Sequence, residues 1–387
     1  MTNPKMTESK TLLLVFSDDW GRHPSSCQHL IKHLLDRYDV LWVNTIGTRA
    51  LKLNWVTIRR AFEKAVSWFR ASKGRGQSNS VNQNNPIVLN PKMLPSFGGH
   101  TRRRINKSLL IKQIIPELKK HNGSVIGIST VPYISDLIGE LPVDRWVYYC
   151  VDDWSCWPEM DAKPLRQMES ELIDKCHDII CVSRALQDRI FQQTGRNSVL
   201  LQHGFDEQFL NRPRSTKLLK QYPGRKILYW GLIDQRLDPK IVTACANAFP
   251  KDSFVFVGPK ANPFPELFSP QNVYSHGVVE YSQLPALAME SSALIMPYLD
   301  NDVTRQIQPL KMLEYLAVNK PVVARNLPST AEWSDCLDVA NNPEEFVKLL
   351  KKRLEKGITS TQRRARKRVE ELSWAKKAEE FEQMFLG

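Results

Sequence analysis

Lys311 and Glu314 stand one helical turn apart in Asn301–Ala324, which reads NDVTRQIQPLKMLEYLAVNKPVVA. A polar loop follows the apolar run Ala293–Pro297, turns at Pro309 and becomes an amphipathic helix from Leu310 to about Val318. The helix ends in a Lys-Pro turn that feeds the β-branched pair Val322-Val323. A loop that delivers a helix N-terminus is an anion site, because unpaired N–H groups and the positive end of the helix dipole point out of it. Pro309 is expected at the first helical position, where no N–H is needed. Lys311 adds a point charge to that turn. Glu314, one turn further on, could accept two hydrogen bonds from a diol such as a ribose. The chemistry would then be a diphosphate at the helix start and a sugar diol at Glu314. The same spacing also suits a plain Lys–Glu pair on an amphipathic helix, and spacing alone leaves both readings open.

Other stretches combine reactive side chains with strand ends. Ser17–Ser26, SDDWGRHPSS, holds Asp18, Asp19, Arg22 and His23 directly after an apolar run. It is no G-x-G-x-x-G fingerprint, so the reading is acceptor binding at a carboxyl sheet edge rather than dinucleotide binding. Tyr148–Ser155, YYCVDDWS, offers two adjacent carboxylates. One could face a substrate while the other anchors the loop; both could equally be turn caps. Asp153 is the candidate base for an acceptor hydroxyl, with Asp152 second. In Tyr229–Asp238, YWGLIDQRLD, Gly231 permits close backbone approach and Arg236 either reaches a phosphate or closes an Asp–Arg turn. Phe256–Gly258 and Met296–Asp300 are further strand ends, of unspecific chemistry.

PLKMLEYLAVNKPVVA resembles the nucleotide-sugar signature of GT-B glycosyltransferases, especially the family-4-like group and relatives that build polysaccharide on lipid carriers. Those proteins commonly read P-x-K-x-x-E-Y-x-A-x-x-K-P-V-V. The loop at Tyr148–Trp154 is similar to their YxxVDDW loop, and YWGLIDQRLD to their YxGxIDERLD segment. Gln202–Asp206, QHGFD, resembles the N-G-V-D turn that closes their first domain, with His203 in place of Asn. The likeness covers most of residues 145–325 and, more weakly, the first 45. It implies two doubly wound Rossmann-like domains with a cleft between them. It also implies donor contacts from Gly231, Arg236, Arg305, Gln306, Gln308, Pro309, Leu310, Lys311 and Glu314. Catalytic positions would be Asp153, Asp152 and His203, and acceptor contacts Asp19, Arg22 and His23. The family pattern carries a Glu eight positions before the helix Glu; here that position is Gln306. The implied activity is transfer from a nucleotide diphosphate-sugar, UDP-linked, to a lipid-linked or polysaccharide acceptor at the cytoplasmic face of the membrane. Lys311 and the helix N-terminus would neutralise the leaving diphosphate, so neither metal nor a further cofactor is expected, and no D-x-D stands in a metal-dependent setting. The alternatives are a sugar-nucleotide epimerase of related fold and a degraded, binding-only glycosyltransferase-like protein, which Gln306 favours.

The elements that must hold these residues are short apolar runs separated by helical patterns. The runs are Leu12–Phe16, Val40–Val43, Val125–Ile128, Trp146–Cys150, Ile179–Val182 and Val199–Leu201, then Ile227–Trp230, Phe254–Val257, Ala293–Met296 and Pro321–Ala324. Continuous rather than alternating hydrophobicity predicts strands covered on both faces, hence two doubly wound α/β domains. The expected division is 1–210, 211–360 and a tail, 361–387, that returns to the first domain. The polar stretch 206–225 is the linker, and 73–86 is a low-complexity loop. Ser373 could cap a last helix with Trp374, Ala378, Phe381 and Phe385 on one face.

The 387 residues suffice for two or three cores, and a formal charge of +13 points to an anionic partner. Seven cysteines, an odd number without C-x-x-C, read as reduced thiols in a cytosolic setting. The polar start carries no signal-peptide pattern, and no run approaches the roughly 20 apolar residues of a membrane span. Between Arg49 and Arg75 there are eight Lys/Arg and one acid. Leu51, Trp55, Ile58, Phe62, Val66 and Phe69 fall on one helical face, with Arg59, Arg60, Lys64 and Arg70 to the other side. Arg102, Arg103, Arg104 and Lys107 form a second basic cluster. The stripe reads as an interfacial helix on an anionic membrane, or as a helix packed on its own sheet. No nucleic-acid motif occurs, and the aromatics lie apart from the basic residues, so nucleic acid is not the expected partner.

Overall fold

The computed structural model describes residues 10–21, 25–45, 85–94, 97–153, 162–211, 213 and 217–386. Arg22, His23, Trp154 and the whole basic stripe 51–70 lie outside the described residues. The strands are numbered in chain order. Contacts group the chain into two compact units: Met1–Cys181 with Arg189–Val199 and Met384–Gly387, and Val182–Asp188 with Leu200–Gln383.

The first unit holds β1 (Leu12–Ser17), β2 (Asp39–Asn44), β3 (Ile87–Leu89), β4 (Val125–Ser129), β5 (Arg145–Cys150), β6 (Asp178–Cys181) and β7 (Val199–Leu200). Their order is β3-β2-β1-β4-β5-β6-β7. β1 pairs in parallel with β2 and β4, and β4 with β5. Every residue of β1 is buried, as a strand covered on both faces requires. β3 was not expected: its Ile87 is 62% exposed at the sheet edge, so no continuous apolar signal announces it.

The second unit holds β8 (Lys226–Trp230), β10 (Ser253–Val257), β12 (Val273–Gly277), β13 (Ala293–Met296), β14 (Val322–Arg325) and β15 (Asp338–Ala340), in the order β12-β10-β8-β13-β14-β15. β9 (Ile233–Asp234) and β11 (Lys260–Ala261) form a separate two-stranded ladder. Strand order therefore reverses between β1 and β4 in one sheet and between β8 and β13 in the other. In open parallel sheets ligands bind beyond the carboxyl ends of the strands at such a reversal. The second reversal has a physical opening. β8 pairs with β10 as far as Trp230, but with β13 only as far as Leu228. Beyond Leu228 the two strands part, and side chains fill the gap.

The stretch expected as a linker belongs in part to the second core. Phe205 and Phe209 are fully buried in it, and Glu207–Leu210 is a 3-10 turn capped by Asp206. The contact division accordingly starts the second unit at Leu200 rather than after residue 210. The tail helix, Trp374–Phe385, buries Trp374, Ala378, Phe381 and Phe385 as its spacing predicts. Phe205 N–H donates to the Leu372 carbonyl at 3.1 Å, and Trp374 N–H to the Phe205 carbonyl at 3.0 Å. Among the described residues no helix is long and apolar enough to cross a membrane.

One glycine is fixed by packing rather than backbone angle. Gly127 of β4 faces Trp146 of β5, and a Cβ there would lie 2.3 Å from the indole ring. Trp146 is 2% exposed, with the Phe16 ring tilted beside it at 6.1 Å between centroids. Gly127→Ala is expected to cost about 1–3 kcal/mol by overpacking and to lower the urea midpoint of unfolding. An unchanged midpoint would show that the ring can move aside.

Candidate functional site

The second sheet's reversal brings together several of the residues that the sequence offered. β8 ends at Trp230, and Gly231 follows with φ of 126°. Gly231 N–H donates to the Val257 carbonyl at 2.9 Å, and Gly258 N–H to the Gly277 carbonyl at 2.8 Å. Gly258 sits at φ 140°, and a Cβ on it would lie 2.1 Å from the Gly231 carbonyl oxygen. A Cβ on Gly231 would lie 2.1 Å from Lys311 Nζ. Gly231 thus leaves the space into which Lys311 reaches, and Gly258 lets the Gly231 backbone approach closely.

Lys311 belongs to the helix Leu310–Ala317. Pro309 is its N-cap, with ψ of 116°, not the first helical residue that its fit to a helix start suggested. Proline's ring sets φ near −68° at either place, but extended ψ puts it just outside the helix. The N-cap has no side-chain hydrogen bond and the first turn no acidic residue, so neither offsets the positive end of the helix. Lys311 Nζ donates to Tyr229 Oη at 2.8 Å and to Tyr298 Oη at 3.1 Å, and lies 4.3 Å from the Tyr229 ring centroid.

Glu314 faces inward, 7% exposed. Its Oε2 accepts from Trp230 Nε1 at 2.9 Å and its Oε1 from Tyr281 Oη at 2.5 Å. Trp230 main-chain N–H donates to Tyr315 Oη at 2.9 Å, so one turn of helix is fastened to the end of β8. Burial pushes the Glu314 carboxyl up to about 7, against the lowering effect of Tyr281, Trp230 and Lys311. The simple surface Lys–Glu pair considered from the spacing is absent: Lys311 turns to the two tyrosines and Glu314 to Trp230 and Tyr281.

The other donor-side positions divide. Arg236 Nη2 lies 2.9 Å from Asp234, so it closes the local Asp–Arg turn. Arg305 is exposed and pairs with Asp300 at 2.5 Å. Gln306 ends the short helix Asp302–Gln306, and its carbonyl accepts from Ser183 Oγ at 3.1 Å. Gln308 is buried, and its Oε1 accepts from His203 N–H at 2.9 Å. His203, 5% exposed, has its ring 6.0 Å from that of Trp374. Leu310 is half-buried at the helix start.

In the first unit, Asp18 accepts from Ser17 Oγ, Ser25 Oγ and Gln28 Nε2 at 2.8–2.9 Å, and burial raises its pKa. It holds the turn after β1 together, while Asp19 is half-buried beside it. After β5, Asp152 is half-buried and Asp153 is 7% exposed. Asp153 Oδ2 lies 3.5 Å from Arg189 Nε. Arg189 also pairs with Glu169, which is 4% exposed and accepts from Tyr148 Oη at 2.6 Å. Asp153, which the sequence reading put first as the base, is thus the more buried of the two carboxylates and faces a guanidinium. Sequence reasoning missed Glu169, Arg189 and Tyr281, which no motif contains. Tyr229 and Tyr298 stood in strand-end stretches but carried no role.

Comparisons with known proteins agree with this geometry. Residues 232–356 match the family model described as glycosyl transferases group 1. Over 213 residues the chain is 29% identical to the putative teichuronic acid biosynthesis glycosyltransferase TuaH of Bacillus subtilis (strain 168). That match spans 49% of this chain and about half, 52%, of the relative. Sucrose-phosphate synthase from Thermosynechococcus elongatus superposes with a TM-score of 0.72 at 11% identity, over 97% of this chain and 98% of that one. Anabaena Alr3699/HepE, in complex with UDP and glucose, gives 0.66 at 14% identity over 97% and 99%. An E. coli structure described as trehalose-6-phosphate bound with UDP-2-fluoro glucose gives 0.65 at 12% identity over 96% and 98%. Fold and family match together support a GT-B glycosyltransferase. Within that class, the second unit carries the group 1 sequence pattern, as the resemblance of Pro309–Ala324 implied.

The raised Glu314 pKa has a consequence for stability. Between 4.5, its ordinary value, and about 7, the folded protein holds a proton that the unfolded chain has released. This contribution is therefore complete below the unfolded value and is lost as pH rises to about 7. The difference is worth roughly 3 kcal/mol. Glu314→Gln is expected to remove this part of the slope. Urea midpoints of both proteins across the interval would show it, and parallel curves would mean that Glu314 does not titrate there.

Proposed function

We propose that the chain transfers a sugar from a nucleotide diphosphate-sugar, UDP-linked, to a lipid-linked or polysaccharide acceptor. The observation that carries this reading is Lys311 in the first turn of its helix, against Gly231, where the strand order reverses. An ammonium and a helix N-terminus together suit a diphosphate whose charge grows as the sugar leaves. This charge stabilisation comes from the chain's own groups, and metal independence is part of the proposal. Glu314 holds the ribose diol through the lone pairs left after Trp230 and Tyr281 have donated one bond to each oxygen. UDP is favoured because structural neighbours are described with UDP or a UDP-sugar. A polysaccharide acceptor is favoured by the role in the name of the Bacillus relative.

On the acceptor side, Asp152 is proposed to take the hydroxyl proton, with Asp153 second, because Asp152 is the more exposed of the two. Asp19 offers an acceptor contact, with Arg22 and His23 from the same loop. His203 and Gln308 are proposed to shape the donor side, because the His203–Gln308 bond fixes the turn at residue 203. Work at the cytoplasmic membrane face, with the basic stripe 51–70 against anionic lipid, belongs to the same proposal. A second reading, binding without transfer, is favoured by Gln306 in place of the family's Glu.

A screen of UDP-sugars with carbohydrate and lipid-linked acceptors distinguishes the readings. UDP release with a new glycoside supports transfer. A changed UDP-sugar without acceptor would mean epimerisation, and binding without turnover would mean the degraded form. Glu314→Ala is expected to weaken UDP binding about ten- to a hundredfold, the loss of roughly 1.5–3 kcal/mol for a charged acceptor. Asp152→Asn is expected to lower transfer by about 10² or more with UDP affinity kept. Full turnover in that variant would return the base to another group.

A further inference from the structure

Of the donor-side positions offered by the sequence, three are cations: Lys311, Arg236 and Arg305. Two of them already face carboxylates, Arg236 at 2.9 Å from Asp234 and Arg305 at 2.5 Å from Asp300. Among the described residues no carboxylate pairs with Lys311. Its ammonium is aimed by two neutral oxygens instead, those of Tyr229 at 2.8 Å and Tyr298 at 3.1 Å.

The two phenols come from opposite sides of the gap where β8 and β13 part. Tyr229 is the first β8 residue beyond the last β8–β13 pair, and Tyr298 follows β13. Both are buried, at 0% and 2% exposure. Tyr229 Oη donates to the Leu232 carbonyl at 2.8 Å, so its proton is committed there and a lone pair faces the ammonium. The ring faces of Tyr229 and Tyr298 add cation–π attraction, with Nζ 4.3 and 5.6 Å from their centroids. A lysine has three donors, and two are used here, so one N–H direction is left fixed by the other two. A carboxylate in place of the phenols would hold the ammonium as well, but would cancel the charge needed for a diphosphate.

We infer that Tyr229 and Tyr298 are positioning residues, which fix the Lys311 ammonium toward the β-phosphate of a bound nucleoside diphosphate without pairing it to a carboxylate. This rests on the reading of the site as a nucleotide diphosphate-sugar site. It assigns the tyrosines an effect on the distal phosphate and none on the nucleoside.

The test is titration calorimetry of the full chain with UDP and with UMP, which lacks the β-phosphate. The Tyr229→Phe/Tyr298→Phe variant is expected to weaken UDP binding about tenfold and UMP binding less than twofold. Tyr298→Phe alone provides a milder variant and is expected to show the same selectivity at a smaller amplitude. In a Lys311→Met background the two Phe substitutions are expected to add nothing, because their effect runs through the ammonium. Equal weakening of UDP and UMP, or an undiminished effect in the Lys311→Met background, would reduce the tyrosines to a structural role and overturn the inference. Unaltered UDP affinity in the Phe variants, with wild type binding UDP, would overturn it alone. If wild type binds neither nucleotide, the nucleotide reading of the site falls, and this inference falls with it.

Discussion

The end of β8 is the constraint on which the second unit depends. Trp230 gives its main-chain N–H to Tyr315 and its indole N–H to Glu314, so one strand residue is joined by two bonds to two successive helix residues. That junction ties the helix to the strand end on the turn that also carries Lys311. The gap Lys311 points into exists because β8 follows β10 two residues further than it follows β13. Sheet register, helix attachment and one ammonium thus meet in the same local geometry.

Much of the fold was legible because parallel strands buried on both faces are written as uninterrupted apolar runs. β1, β8, β10 and β13 fall within a residue or so of those runs. The strands that escaped notice lack the signal for identifiable reasons. β12 reads VYSHG with only Val273 buried, β15 is three residues long, and β3 lies at an exposed edge. The stretch around Phe209 looked like a linker because its polar residues outnumber its apolar ones. Phe209 and Leu219, both fully buried, nevertheless fasten it to the core.

The site was legible in its spacing and obscure in its pairings. Lys311 and Glu314 were found because a helical turn separates them, yet the same spacing could not show that they turn away from each other. Arg236 and Arg305 are bound by acids two and five residues away, contacts that depend on loop conformation rather than pattern. The order of Asp152 and Asp153 was invisible for a different reason. Arg189, which faces Asp153, lies in a helix that no motif marks, and its other partner, Glu169, is equally unmarked. Buried aromatic hydroxyls were undervalued altogether, since tyrosines at strand ends look like ordinary core residues.

The buried Glu314 carboxyl also ties ligand binding to hydrogen-ion concentration. Near neutrality such a group is an equilibrium mixture of acid and anion. A ligand whose hydroxyls donate to it draws the mixture toward the anion, and the displaced protons leave for the solvent. The heat of association then includes the ionisation enthalpy of whichever buffer collects them. Apparent enthalpies in phosphate and in Tris would differ by a fixed multiple of the difference between the two buffers, even with identical contacts. One inward-facing side chain would therefore make the protein exchange protons with its medium each time such a ligand arrives or departs.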